Sequence, residues 1–209
     1  HLGAELFQQL AALLQRLARN GTAWTPTYVT GSARVLPDSV RRRLVNDSLG
    51  ASGDAYRFLP SAMRAAWRRE LDGGMRDPDT STDWGAIHRA SLAMAREVLA
   101  AGGVILAGTD TPVIPLVPGF ALHDELLQLV ADAGLTPLEA LRSATRAPAE
   151  FFGLGARSGA IAPGLWADLV LLDADPTVDI TATRRIRAVV SRGIVHDRAA
   201  LDRMLAGGR

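Results

Sequence analysis

Cysteine and lysine are both missing from these 209 residues. Without cysteine, disulfides and thiolate metal sites are excluded, and redox compartment is left unmarked. Without lysine the chain can supply no Schiff-base amine, no P-loop lysine and no carbamylated lysine. All 23 basic residues are therefore arginine, set against 22 acidic ones, for a net charge of +1. That balance argues against nucleic acid or an anionic membrane as a partner. Long apolar runs are also scarce. Ala167–Leu172 has an Asp inside it, and nothing approaches the length that crosses a bilayer. No basic-then-apolar leader is visible where this sequence starts, which leaves localisation open, with the cytoplasm the favoured expectation. What the chain does have, 48% hydrophobic residues, suffices for a sizeable core in one or two domains.

Apolar spacing organises the chain. Leu6, Leu10, Leu13, Leu14 and Leu17 predict an amphipathic helix over about residues 4–19, closed by Asn20-Gly21. A strand is expected over Thr22–Val29, with Pro26 near its end because proline cannot donate to a ladder. Residues 31–81 read as an insertion, with Pro37, Pro60 and Pro78 around two helical pieces near 38–49 and 61–71. Ile87, Ser91, Met94 and Val98 mark a long helix ending at Gly102-Gly103. Val104-Ile105-Leu106-Ala107 follows at once and reads as a buried parallel strand, stopping at Gly108-Thr109-Asp110-Thr111-Pro112. Leu122, Leu126, Leu129 and Val130 give another helix, and Thr136-Pro137-Leu138-Glu139 is a capping box that opens the next. Beyond Gly159 the period falls to two. Strands are expected over 167–173 and 185–191, with Arg192-Gly193 turning into Ile194-Val195-His196 and a helix over about 198–206.

Strands alternating with helices imply a parallel α/β sheet or barrel, whose active-site groups gather at the C-terminal ends of strands. Asp110 occupies such a position, between the hydroxyls of Thr109 and Thr111. The plainer alternative is a loop Asp that caps the following helix. His123 lies at the start of a helix soon after this loop, where it could orient a substrate carbonyl or simply make a local hydrogen bond. His88, on a helix, and His196, on a late strand, read as structural. Asp168 and Asp173 flank a strand and read as turn or edge residues.

Several segments, in order, resemble the C-terminal half of metal-dependent enzymes of the amidohydrolase superfamily. Gly108-Thr109-Asp110-Thr111 after its apolar run resembles the end of barrel strand eight, and Trp24-Thr25-Pro26-Thr27 the end of strand seven. Leu122-His123-Asp124-Glu125-Leu126 and Gly134-Leu135-Thr136-Pro137-Leu138-Glu139-Ala140-Leu141 resemble the helices that follow strand eight. Gly159–Gly164 with Ala167–Asp173 resembles the return to a small β-sandwich, and Leu59–Arg64 with Trp67 the insertion of imidazolonepropionase-like and prolidase-like members.

The resemblance implies a partial (β/α)₈ TIM barrel over residues 1–152, with the helical insertion at about 31–81, then a small β-sandwich segment with a terminal helix over 153–209. It implies a hydrolase of amide C–N bonds, in dipeptides or cyclic amides, using one or two divalent ions, zinc being the expected one. Asp110 would be both metal ligand and base. His1, one helix before Trp24, stands where the family carries a metal-binding histidine. His123, Thr109 and Thr111 would contact or support the substrate. The partners implied are a small amide or peptide substrate and the missing N-terminal half of the barrel, with a homo-oligomer as a further option. The family's His-x-His pair, bridging carboxylate and strand-five histidine have no counterpart here, so the chain alone is expected to be incomplete and inactive. A deaminase or lactonase of the same superfamily, or a non-catalytic remnant, are the competing expectations.

Overall fold

The computed structural model describes residues 2–73 and 82–207; His1 and residues 74–81 of the expected insertion lie outside them. Helix α1 (Leu2–Arg19) leads into strand β1 (Ala23–Trp24), then α2 (Tyr28–Arg34), α3 (Asp38–Asn46) and α4 (Ser61–Asp72). Helix α5 (Trp84–Ala100) runs into β2 (Val104–Ile105), followed by α6 (Ala121–Ala131), α7 (Pro137–Ala144) and α8 (Arg146–Phe151). Strands β3 (Leu169–Leu172), β4 (Ile186–Ser191) and β5 (Ile194–Asp197) precede α9 (Arg198–Gly207). Short 3₁₀ turns at Asp54–Phe58 and Ile180–Arg184, and α8, are elements that apolar spacing did not reveal.

Strands β1 and β2 pair in parallel, Ala23 opposite Val104 and Trp24 opposite Ile105. The chain is thus α/β, as expected, but both strands are shorter than the apolar runs that carry them. After Trp24 comes Pro26, which lacks an N–H, and then Thr27 in the left-handed region at φ 49°. Tyr28 and Val29, expected to continue the strand, instead open helix α2, and both are almost wholly buried. Aromatic and β-branched residues read as strand in isolation; burial between α5 and α6 decides otherwise here. Helix α2 also continues to Arg34, through the expected start of the insertion. On β2 the Leu106 N–H still donates to Trp24 O at 2.9 Å. The Ala107 N–H goes instead to Ser143 O of α7 at 2.9 Å, so a helix carbonyl takes the donor that a further strand would have taken.

One core cluster joins Leu14 of α1, Tyr28 of α2, Ala95 and Val98 of α5, Ile105 of β2, and Leu126 and Leu129 of α6. A second joins Val45, Leu59, Trp67 and Leu71 to Ile114 and Val117, so the helices α3 and α4 grip the loop that leaves Asp110. Buried Arg64 reinforces that grip by donating to the Val45 and Tyr56 carbonyls. The expected capping box forms in full. Thr136 Oγ1 accepts from the Glu139 N–H at 3.2 Å, and Glu139 accepts from the Thr136 N–H at 2.7 Å. Strands β3, β4 and β5 form an antiparallel sheet in that order, and the Arg192-Gly193 turn has both residues at positive φ, as a two-residue hairpin requires. Asp168 accepts from the Arg192 N–H at 2.6 Å, the turn role expected of it.

Candidate active site

Because β1 and β2 are parallel, their C-terminal ends share one edge, and both run out there into left-handed backbone at residues other than glycine: Thr27 at φ 49° and Asp110 at φ 51°. Asp tolerates this region better than most residues, whereas for β-branched Thr it is a true outlier. Strained backbone of this kind persists only where the surroundings over-determine it, and it concentrates at functional sites. The two segments are locked together. Thr30 Oγ1 donates to Thr109 O at 2.9 Å. Gly108 packs so closely that a Cβ there would lie 2.4 Å from Thr25 Cγ2.

Asp110 is solvent-exposed at this edge, with no hydrogen bond or ion pair to its carboxylate among the described residues. Thr109 and Thr111 bracket it, their hydroxyl oxygens 3.3 Å apart. An accessible carboxylate beside two hydroxyls, at the end of a buried strand, can accept a proton from water or bind a cation. Among the described residues no group of three or more His, Asp or Glu converges to hold a metal ion. A site of three such ligands at Asp110 would therefore need residues beyond those described, and His1 lies outside them.

His123 turns elsewhere. Its Nδ1 pairs with Thr183 Oγ1 at 3.1 Å, and its neighbour Asp124 pairs with Arg184. Both contacts tie the start of α6 to the 3₁₀ turn beside the three-stranded sheet. Burial, with Arg184 nearby, holds the His123 imidazole below its ordinary range, against the opposing pull of Asp124. Together with Tyr56, Phe120 and Leu201 it lines a cleft of about 850 Å³, whose walls do not include Asp110. His88 packs edge-on against Tyr28 and meets Ser32 Oγ at 3.2 Å, a structural setting as expected.

Glu125 is the residue that apolar spacing passed over. It is fully buried on α6, and its Oε2 accepts from the Val29 N–H at 2.9 Å. Burial pushes its carboxyl up to about 7, against the downward pull of the Val29 and Tyr28 backbone N–H groups. The available signal was its place three residues after Leu122 and four before Leu129, a carboxylate on the helix face that carries leucines.

Residues 68–199 match the family model described as the amidohydrolase family. Among characterised relatives, the chain is 38% identical over 79 residues to an adenine deaminase of Methanothermobacter thermautotrophicus, covering 38% of this chain and 14% of that protein. It is 42% identical over 52 residues to an adenine deaminase of Methanothrix thermoacetophila, covering 25% of this chain and 9% of that protein. Among solved structures it is similar to bottromycin amidohydrolase (26% identity, TM-score 0.61, 90% of this chain and 40% of the other). A putative prolidase from Bifidobacterium longum is also similar (25% identity, TM-score 0.55, 90% and 39%). The chain thus spans well under half the length of each of these relatives.

Proposed function

Because the chain belongs to the amidohydrolase family, we propose that it forms part of a hydrolase of C–N bonds in which Asp110 is the reacting carboxylate. The observation that carries this reading is the placement of Asp110: exposed, left-handed and flanked by hydroxyls, just past the C-terminal end of a parallel strand. Asp110 accepts the proton released by the attacking water and returns it to the departing nitrogen, so one carboxylate serves as base and then as acid. Thr109 and Thr111 offer hydroxyls to the substrate beside it. Asp110 would also be one ligand of a divalent ion, zinc being the expected one, with the remaining ligands supplied from outside the described residues, His1 among them. Bound there, such an ion would supply the Lewis acidity that makes water acidic near neutral pH. The family setting accords with a partial (β/α)₈ barrel over residues 1–152 and a small β unit beyond it. Likeness to a bottromycin amidohydrolase and a putative prolidase favours amide bonds as the target.

A second reading, deamination of an amino-substituted ring, is favoured by the likeness to adenine deaminases. Product analysis separates the two: ammonia release from aminopurines marks the deaminase, and paired acid and amine products from N-acyl amino acids or dipeptides mark the amide hydrolase. In the protein that carries this chain together with the rest of the barrel, Asp110→Asn should keep the fold and lower turnover by at least ~10²–10⁴-fold. His88→Gln and His196→Gln should leave turnover close to unchanged. Near-normal turnover in Asp110→Asn would remove Asp110 from the mechanism.

A further inference from the structure

We propose that Glu125 is a positioning residue of the candidate site: its buried carboxylate caps helix α2 and so holds the end of β1 against the Gly108–Asp110 loop. The proposal rests on the reading of Asp110 as the reacting carboxylate, but the contacts that carry it stand independently of any activity.

Burying a carboxyl with no cation beside it is costly, and no ion pair joins Glu125 among the described residues. Among the described residues its Oε1 has no hydrogen-bond partner. Packing alone would favour an apolar side chain at this position. What Glu125 supplies instead is one well-placed acceptor. The first N–H groups of any helix lack an intrahelical partner. In α2 the residue that should cap them, Thr27, makes no side-chain capping bond, because its backbone is turned into the left-handed region. Oε2 of Glu125 takes the Val29 N–H from another helix, 96 residues away in sequence.

From that anchor an unbroken path leads to Asp110. Thr30, next to Val29, donates its hydroxyl to Thr109 O, the carbonyl that immediately precedes Asp110. On the other side of the cap, Thr25 and Thr27 meet the open face of Gly108. Tyr28 is fixed between these contacts by its hydroxyl, which donates to Ser91 O at 3.0 Å. Loss of the cap frees the strained Thr27 junction, and with it the seating of the loop that presents Asp110.

The test is hydrogen exchange of the purified chain at one pH, comparing wild type with Glu125→Leu, Glu125→Gln and Thr30→Val. The amides read are Val29, Leu106 and Val113, with β4 and β5 as the distant control. Glu125→Leu should speed Val29 exchange by at least about tenfold, and Leu106 and Val113 by less, with β4 and β5 unchanged. Glu125→Gln keeps a carbonyl acceptor and should restore protection to within a few-fold of wild type, which simple core filling would not predict. Thr30→Val should loosen Val113 while leaving Val29 protected, and it carries the test if Glu125→Leu does not fold. The proposal is overturned if Glu125→Leu protects Val29 as well as wild type, if Gln and Leu loosen it equally, or if Thr30→Val leaves Val113 unmoved. No activity enters these measurements, so their failure is separate from failure of the hydrolase reading, which Asp110→Asn decides.

Discussion

At Glu125 the cost and the use of a buried carboxyl can be read from one titration. Its folded value of about 7 lies above the ordinary 4.5. A group raised on folding binds more protons in the folded state, so its contribution is fully present below about pH 4.5 and is lost as pH rises through about 7. The loss across that window amounts to about 3 kcal/mol. His88 and His123 work in the opposite sense. Burial lowers both, so each withdraws stability as pH falls below the ordinary histidine range. Their slopes oppose that of Glu125 in wild type and cancel in a difference. Urea denaturation at pH 5 and pH 8 should therefore show Glu125→Gln gaining on wild type as pH rises; parallel behaviour of the two proteins would mean that Glu125 titrates normally. The place of Asp110, just beyond a parallel strand, was legible from sequence because an apolar run ended beside it. Glu125 was not, because what makes it matter is a helix start that packs against it from 96 residues away.

The junction between β1 and β2 shows how far apolar spacing reaches at the scale of elements. Helices α4, α5, α6 and α7 follow the spacing of their leucines, alanines and caps, and the parallel pairing of the two strands follows from the order of elements. The conversion of Tyr28–Val29 from strand to helix does not, since it depends on a proline, a left-handed threonine and a cap donated from α6. Gly108 is the tightest point of that junction. An added methyl would stand 2.4 Å from Thr25 Cγ2, so the Thr25 side chain or the strand end that carries it has to shift. Gly108→Ala should therefore cost about 1–3 kcal/mol, as overpacked sites do. It should also displace the Asp110 loop, seen as lost protection at Val113. A thermal midpoint equal to that of wild type would show that the two strand ends are less tightly seated than their geometry indicates.

Across the whole molecule, the three-stranded sheet carries the clearest unmet surface. Its register places Leu169 and Leu171 of β3, Ala188 and Val190 of β4, and Val195 of β5 on one face. Val189 belongs to the other face and lines the cleft with Leu201 and Met204 of α9. On the first face Leu171 is 56% exposed and Val195 67% exposed. Contiguous apolar area of this kind, next to the outer edges that β3 and β5 form among the described residues, favours association over solution as a monomer. The purified 209-residue chain should accordingly show a light-scattering mass above 22.2 kDa that grows with concentration. The double substitution Leu171→Lys and Val195→Lys should return it to the monomer mass. Both side chains are exposed and neither lies in the two core clusters, so far-ultraviolet circular dichroism should be unchanged. If the wild-type chain is monodisperse at 22.2 kDa over a concentration series, this face is tolerated by water as it stands. If the double variant still associates, the contact runs through the strand edges or another surface, and backbone pairing rather than side-chain burial drives it.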